Sequence, residues 1–178
     1  MKNVLLSSVV SVCFSTSAIA DVVRALDTLY GTCMGENSPN EILRGFAPSI
    51  GWPEMPDGML SAMAPPAAVL ELTGWIADDG GDPLFSFLVA VWGIPEPEFG
   101  WTEGCQLYFR DVGGEAFQSG LVTETLAEEV GRDDRLGTRR VNFTVPEFNG
   151  LVSLTYPALP GRTGVSVSVV RGALSKSD

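Results

Sequence analysis

An α+β fold is the class this sequence predicts: one mostly antiparallel sheet of about six strands, with an N-terminal helix and a mid-chain helix packed on one face. Three observations predict it. First, Leu84 to Trp92 reads Leu-Phe-Ser-Phe-Leu-Val-Ala-Val-Trp, a strand-sized run of aromatic and β-branched residues with the character of a strand buried on both faces. Second, the last third of the chain alternates. Val141, Phe143 and Val145 are interleaved with Asn142 and Thr144, and Val165, Val167 and Val169 with Ser166 and Ser168, the period of strands with one polar face. Third, two stretches carry apolar residues at helical spacing. The order is helix, helix, three strands, helix, three strands, and the short turns inside each triplet favour antiparallel pairing.

The chain opens with Met1-Lys2-Asn3 and then runs apolar and small from Val4 to Ala20. Lys2 supplies a positive start, Val4 to Phe14 an apolar segment, and Ala18-Ile19-Ala20 a small-x-small cleavage site. The run is too short and too rich in Ser for a membrane-spanning helix. The expected organisation is a signal peptide over residues 1–20, cut between Ala20 and Asp21, a single domain over 21–172 and a loose tail over 173–178. Val10-Ser11-Val12-Cys13 is a poor lipoprotein box, because the residue before the Cys is normally small. Lipidation at Cys13 is therefore the rival route.

Within the mature chain, Asp21 to Met34 forms the first amphipathic helix. Val22, Leu26, Leu29, Tyr30 and Cys33 share a face and Gly35 stops it. Ser38, Pro39 and Glu41 open a second, short helix, as N-cap, first helical residue and capping-box partner, and Pro48 ends it. Prolines and glycines crowd Ser49 to Pro66, leaving room for one or two helical turns around Met59 to Met63. Ala68 to Ala77 is the first strand, with Gly74 as the mark of a bulge. The turn Asp78 to Pro83 joins it to Leu84–Trp92 as a hairpin. Leu84 to Phe109 should organise the rest of the fold. Gly93 to Gly104 reads as a loop holding Phe99 and Trp101, and Cys105 to Val112 as the third strand. Ala116 to Val130 is the mid-chain helix, with Gly131 as its cap and Arg132 to Arg140 as a charged connector. Val141–Val145, Leu151–Tyr156 and Val165–Val169 complete the strands, with turns at Phe148-Asn149-Gly150 and Leu159–Arg162.

Two cysteines, Cys33 and Cys105, remain after signal removal. In an exported chain the expected outcome is one disulfide, joining the first helix to the third strand. Closing a loop of about 70 residues is worth on the order of 4 kcal/mol in the chain-entropy model. Neither cysteine belongs to a Cys-x-x-Cys, so a thioredoxin-like role has no support. The layout is similar to that of small exported bacterial proteins that also carry a Cys late in a first helix and another in a mid-chain strand. That likeness transfers no site. The chain has a net charge of −11, or −12 without Lys2. Such a balance argues against nucleic acid and, once the signal is gone, against membrane surfaces as partners.

There is no histidine. Its absence removes the commonest general base, the commonest zinc ligand and the usual Ser/His and Cys/His triads. No nucleophile elbow or phosphate-binding glycine loop appears. Asp78, Asp79 and Asp82 offer carboxylates for calcium but lack EF-hand spacing, and Asp and Gly are also ordinary turn residues, so these are weak metal candidates. Met55, Met59 and Met63 lie four apart, the residue type that selects Cu(I); as adaptable core fillers they need no metal. Trp101, with Phe99, is the expected ligand contact, because it sits in a loop between Gly100 and Thr102. Asn142-Phe143-Thr144 matches a glycosylation sequon inside an expected strand. No cofactor is expected. The functional expectation is a small exported, periplasmic or secreted, non-catalytic binding or accessory domain for an unknown protein or small-molecule ligand. The alternatives are a histidine-free hydrolase working through carboxylates, and a methionine-based copper-handling protein.

Overall fold

The computed structural model describes residues 16–64, 71–78, 86–96 and 100–171. Its four α-helices are α1 (Thr16–Leu29), α2 (Pro39–Ser49), α3 (Asp57–Met63) and α4 (Gly114–Thr125). Its seven strands are β1 (Glu71–Asp78), β2 (Ser86–Glu96), β3 (Gly100–Phe109), β4 (Glu128–Arg135), β5 (Thr138–Val145), β6 (Phe148–Pro157) and β7 (Val165–Arg171). All strands join one antiparallel sheet in the order β1-β2-β3-β7-β6-β5-β4. The fold is α+β as expected, with one strand more. Two meanders, β1–β3 and β4–β7, meet where β3 pairs with β7, so the middle strand of the sheet is β7 rather than a member of the Leu84–Phe109 pair.

The extra strand is β4. The residues expected as the end of a helix and a charged connector form a hairpin with β5, closed by Leu136 and Gly137, both at positive φ. That backbone is the one a two-residue hairpin requires. The expected helix stops early because Leu126 turns left-handed at φ 56°, and Gly131 lies in β4 beside an irregularity in the pairing. Nearly every β4 residue is exposed, so no apolar alternation marks it in the sequence. Charge holds it instead. Arg139 bonds Asp134 at 2.9 Å, and Arg132 bonds Glu129 at 2.7 Å. Charged side chains on an outer strand also discourage pairing with other chains.

One face of the sheet carries the main core. Val89, Val91, Leu107, Val141, Phe143, Val152, Leu154, Val165 and Val167 are fully buried there under α1, α2 and α4. A run of aromatic rings links the helices across it: Phe46 to Trp52 at 5.8 Å, Trp52 to Phe87 at 5.6 Å, Phe87 to Phe109 at 5.6 Å and Phe109 to Phe117 at 6.0 Å. Trp75 and Trp92 are buried too, in keeping with strand tryptophans as core. The opposite face is divided. Over β1 and β2, α3 makes a smaller core from Met55, Met63 and Ala90, with Leu60, Leu72, Ile76, Leu88 and Tyr108 against it. Across β3, β7, β6 and β5 the same face carries the row Gln106, Ser168, Ser153 and Asn142. There Gln106 donates to Ser166 Oγ at 3.0 Å and Ser153 donates to Asn142 Oδ1 at 2.7 Å.

Several local expectations are corrected. Gly74 makes no bulge, since β1 pairs with β2 without a break. It is small because α3 comes close: a Cβ there would lie 2.8 Å from the Leu60 side chain and 2.9 Å from that of Met55. The β2–β3 hairpin is longer than expected and reaches Pro95 and Trp101. The turn between β5 and β6 lies at Pro146-Glu147, not at Phe148-Asn149-Gly150. Gly150 is needed for packing, because an added Cβ would meet the Val170 carbonyl at 2.4 Å and the Phe148 ring at 2.5 Å. In α2, Ser38 caps the Glu41 N–H as expected, and the helix carries Pro48 inside its last turn.

Candidate ligand cleft

The first helix does not end as a plain α-helix. After Leu29 the backbone widens into a π-helical turn, Tyr30–Met34. The Thr32 hydroxyl donates to the Thr28 carbonyl at 2.5 Å, a back-bond that competes with the regular ladder. The turn directs Cys33 inward, where it is bonded to Cys105 of β3 with a Cα–Cα distance of 5.5 Å. Both cysteines are fully buried. This is the cross-link expected between the first helical segment and the third strand, and it fixes the π turn over the sheet.

Beside that turn lies a cleft of about 470 Å³. Three separate stretches line it: Tyr30 and Met34 from the π turn, Glu124, Thr125 and Leu126 from the end of α4, and Val145 to Phe148 from the β5–β6 turn. Two of the three non-glycine residues with positive φ in the described chain, Leu126 at 56° and Glu147 at 67°, are on its rim. Glu147 follows Pro146 in a two-residue turn, at a position that normally takes Gly or Asn. A glutamate there costs roughly 1 kcal/mol of backbone strain. Leu126 carries a similar cost and is 74% exposed. Strained positions and π turns gather at functional sites more often than elsewhere.

The Tyr30 hydroxyl is buried at the cleft and makes no hydrogen bond of good geometry. Thr125 gives its own proton to the Leu121 carbonyl at 2.6 Å, which leaves its hydroxyl oxygen to face the Tyr30 hydroxyl. Burial pushes the Tyr30 phenol above the ordinary tyrosine range. The Thr125 contact opposes that rise, and the negative charges of Glu124 and Asp27 add to it. Phe148 is backed by Arg171, whose guanidinium lies 5.2 Å from the ring centre and donates to the carbonyls of Gly35 and Asn37. Burial lowers the Arg171 pKa, with Glu103 acting against that fall.

Two other hollows lie away from this cleft. A groove of about 400 Å³ between α4 and the β4–β5 hairpin contains Arg132, Arg139, Gln118 and Tyr156. Its arginines are already bonded to Glu129, Asp134 and Glu115, and Tyr156 donates to Gln118 at 2.5 Å. A cleft of about 150 Å³ near α3 is lined by Met59, Ile76, Leu88, Tyr108 and Arg110.

Met55, Met59 and Met63, singled out in the sequence, do not line this cleft. Trp101 lies in β3 rather than in a loop. Phe99, Asp79 and Asp82 fall outside the described residues, and Asp78 ends β1. Among the described residues no group of three or more Cys, Asp or Glu side chains is arranged to hold a metal ion. Met55 and Met63 are buried together against Ala90, while Met59 faces the small cleft. Ala20 and Asp21 lie within α1. Among the described residues no helix is long and apolar enough to cross a membrane. Cleft residues come from three distant stretches without a motif, which is why sequence reasoning missed them. One signal was present: Pro146-Glu147 between two alternating strands reads as a two-residue turn with a misfit at its second position. Comparison of this chain with protein-family models, with curated proteins and with solved structures finds no match.

Proposed function

We propose that this chain is an exported, periplasmic or secreted, non-catalytic binding or accessory domain whose ligand occupies the cleft between the π turn, the end of α4 and the β5–β6 turn. The observation that carries the reading is the meeting, in one cleft, of a widened helical turn and two strained side-chain-bearing residues. The signal-like start of the sequence and the buried Cys33–Cys105 bond support an oxidising compartment. Native mass spectrometry of the protein isolated from a periplasmic extract tests the reading, with Met34→Trp as the variant that fills the cleft. The wild type should retain a bound species that Met34→Trp lacks. A bare protein in both samples, or the same species on both, would refute it.

A second reading is favoured by one specific observation: Glu124 and Glu147 line the same cleft, and paired carboxylates are the equipment of a histidine-free hydrolase. Hydrolysis of a glycoside or ester panel that is lost in both Glu124→Gln and Glu147→Gln, and kept in Glu115→Gln, would establish it in place of the first.

A further inference from the structure

We infer that the cleft takes the β4–β5 hairpin tip of a second copy of this chain, with Leu136 as the inserted side chain; this rests on reading the cleft as a binding site. Leu136-Gly137 is a two-residue turn with both residues at positive φ, 51° and 78°. The first place of such a turn normally takes Asn, Asp or Gly. Leucine there strains the backbone, as the side chains at Leu126 and Glu147 do. It gains nothing from the fold in return, since its side chain is fully exposed, at 105%. The Ala158 N–H donates to the Gly137 carbonyl at 2.8 Å, which sets a second exposed leucine, Leu159, beside the tip. The three non-glycine residues with positive φ in the described chain thus divide between a projection, Leu136, and a socket, Leu126 and Glu147.

Lining, charge and placement fit the two together. Met34, Leu126, Val145 and Phe148 offer an inserted leucine thioether, aliphatic and aromatic surface. The cleft volume of about 470 Å³ is that of a pocket able to enclose a small group. Glu124 and Glu147 line the socket while Arg135 and Arg140 flank the tip, and all four are exposed. Arg135 is bonded to Asp133 in an exposed pair, an interaction weak enough to be traded for a new carboxylate. Tip and socket lie at opposite ends of β5, ~25 Å apart at the usual rise per residue. A molecule therefore cannot fill its own cleft, and its tip stays free when its cleft is filled. Such a contact is heterologous and repeats head to tail. It is made end-on, so the charged edge of β4 takes no part in it. One hairpin tip covers less area than a permanent dimer buries, and each copy carries the same negative net charge, so the association is weak and concentration-dependent.

The test is sedimentation velocity on the full chain with its disulfide intact, from micromolar to millimolar concentration at about 0.15 M salt. The weight-average mass should climb past that of a dimer. Leu136→Gly should stay monomeric and melt at a higher temperature, because glycine takes the positive φ freely; this separates lost association from lost folding. Met34→Trp, which fills the socket, should also stay monomeric. Mixed in equal amounts, the two variants should associate again and stop at a dimer, since one brings the only intact socket and the other the only intact tip. Arg135→Glu should weaken the self-association about tenfold by setting like charges against each other. Self-association kept in Leu136→Gly, no dimer in the mixture, or unchanged affinity in Arg135→Glu overturns the inference. A wild type that stays monomeric at millimolar concentration overturns it as well. A different species retained from the periplasmic extract and lost in Met34→Trp would then leave the cleft standing as a binding site, whereas a bare protein there would remove both.

Discussion

The two meanders of the sheet are built from the same antiparallel pairing and solve burial differently. In the first meander, β1 and β2 are covered on both faces, with the main core on one side and α3 with its smaller core on the other. In β5–β7, one face supplies the core and the other keeps a row of hydroxyl and amide side chains. The sequence states this difference directly: Phe87 to Trp92 is a continuous apolar run, whereas Val165 to Val169 alternates with serine. A strand's periodicity thus reports how many faces are covered, and not merely that a strand exists.

The largest effects that would sharpen this contrast, two of similar size, lie in the doubly covered half. The Trp92 ring lies against Gly104, where a Cβ would fall 1.9 Å from ring atoms. Gly104→Val should lower stability by about 3 kcal/mol, read by urea denaturation, because a packed face cannot take the added volume. A loss under about 1 kcal/mol would show that Trp92 moves aside freely and that this face is loosely packed. Next comes the cross-link that belongs to the same half. Replacing Cys33 or Cys105 by Ser should cost roughly 2–5 kcal/mol and leave the far-ultraviolet circular dichroism of the sheet in place, since β2 keeps its pairing with β1. The smallest effect belongs to the open face. Ser168→Val should change stability by no more than about 0.5 kcal/mol. A loss near 2 kcal/mol would mean that the Gln106–Ser168–Ser153–Asn142 row is a structural network and that the two halves are alike.

Six of the seven strands could be read from the sequence because each sets at least one apolar row against the core. β4 could not, because its eight residues are held by ion pairs and backbone bonds, neither of which leaves a hydrophobic period. The disulfide was legible from compartment and count. The π turn was not, since Tyr30 and Cys33 fit the α-helical stripe and the Thr32 back-bond that accompanies the widening has no mark in the sequence. The ligand cleft was least legible. Its rim depends on backbone angles at Leu126 and Glu147, and its lining assembles only when the π turn, the end of α4 and the β5–β6 turn are brought together. The aromatic and acidic residues that stood out locally, Trp101 and Asp78, belong instead to strand ends.

The place of β7 has a consequence for how the chain folds. It is the last of the described strands in chain order, yet it lies at the middle of the sheet and joins β3 to β6. Neither meander can acquire its inner neighbour until Val165–Arg171 is available, so the two hairpin arrays wait as separate pieces with open inner edges. Joining them requires contacts between residues far apart in sequence, the kind that slow folding and lengthen exposure to aggregation. The sheet therefore cannot close before Val165–Arg171 is available to join its two parts.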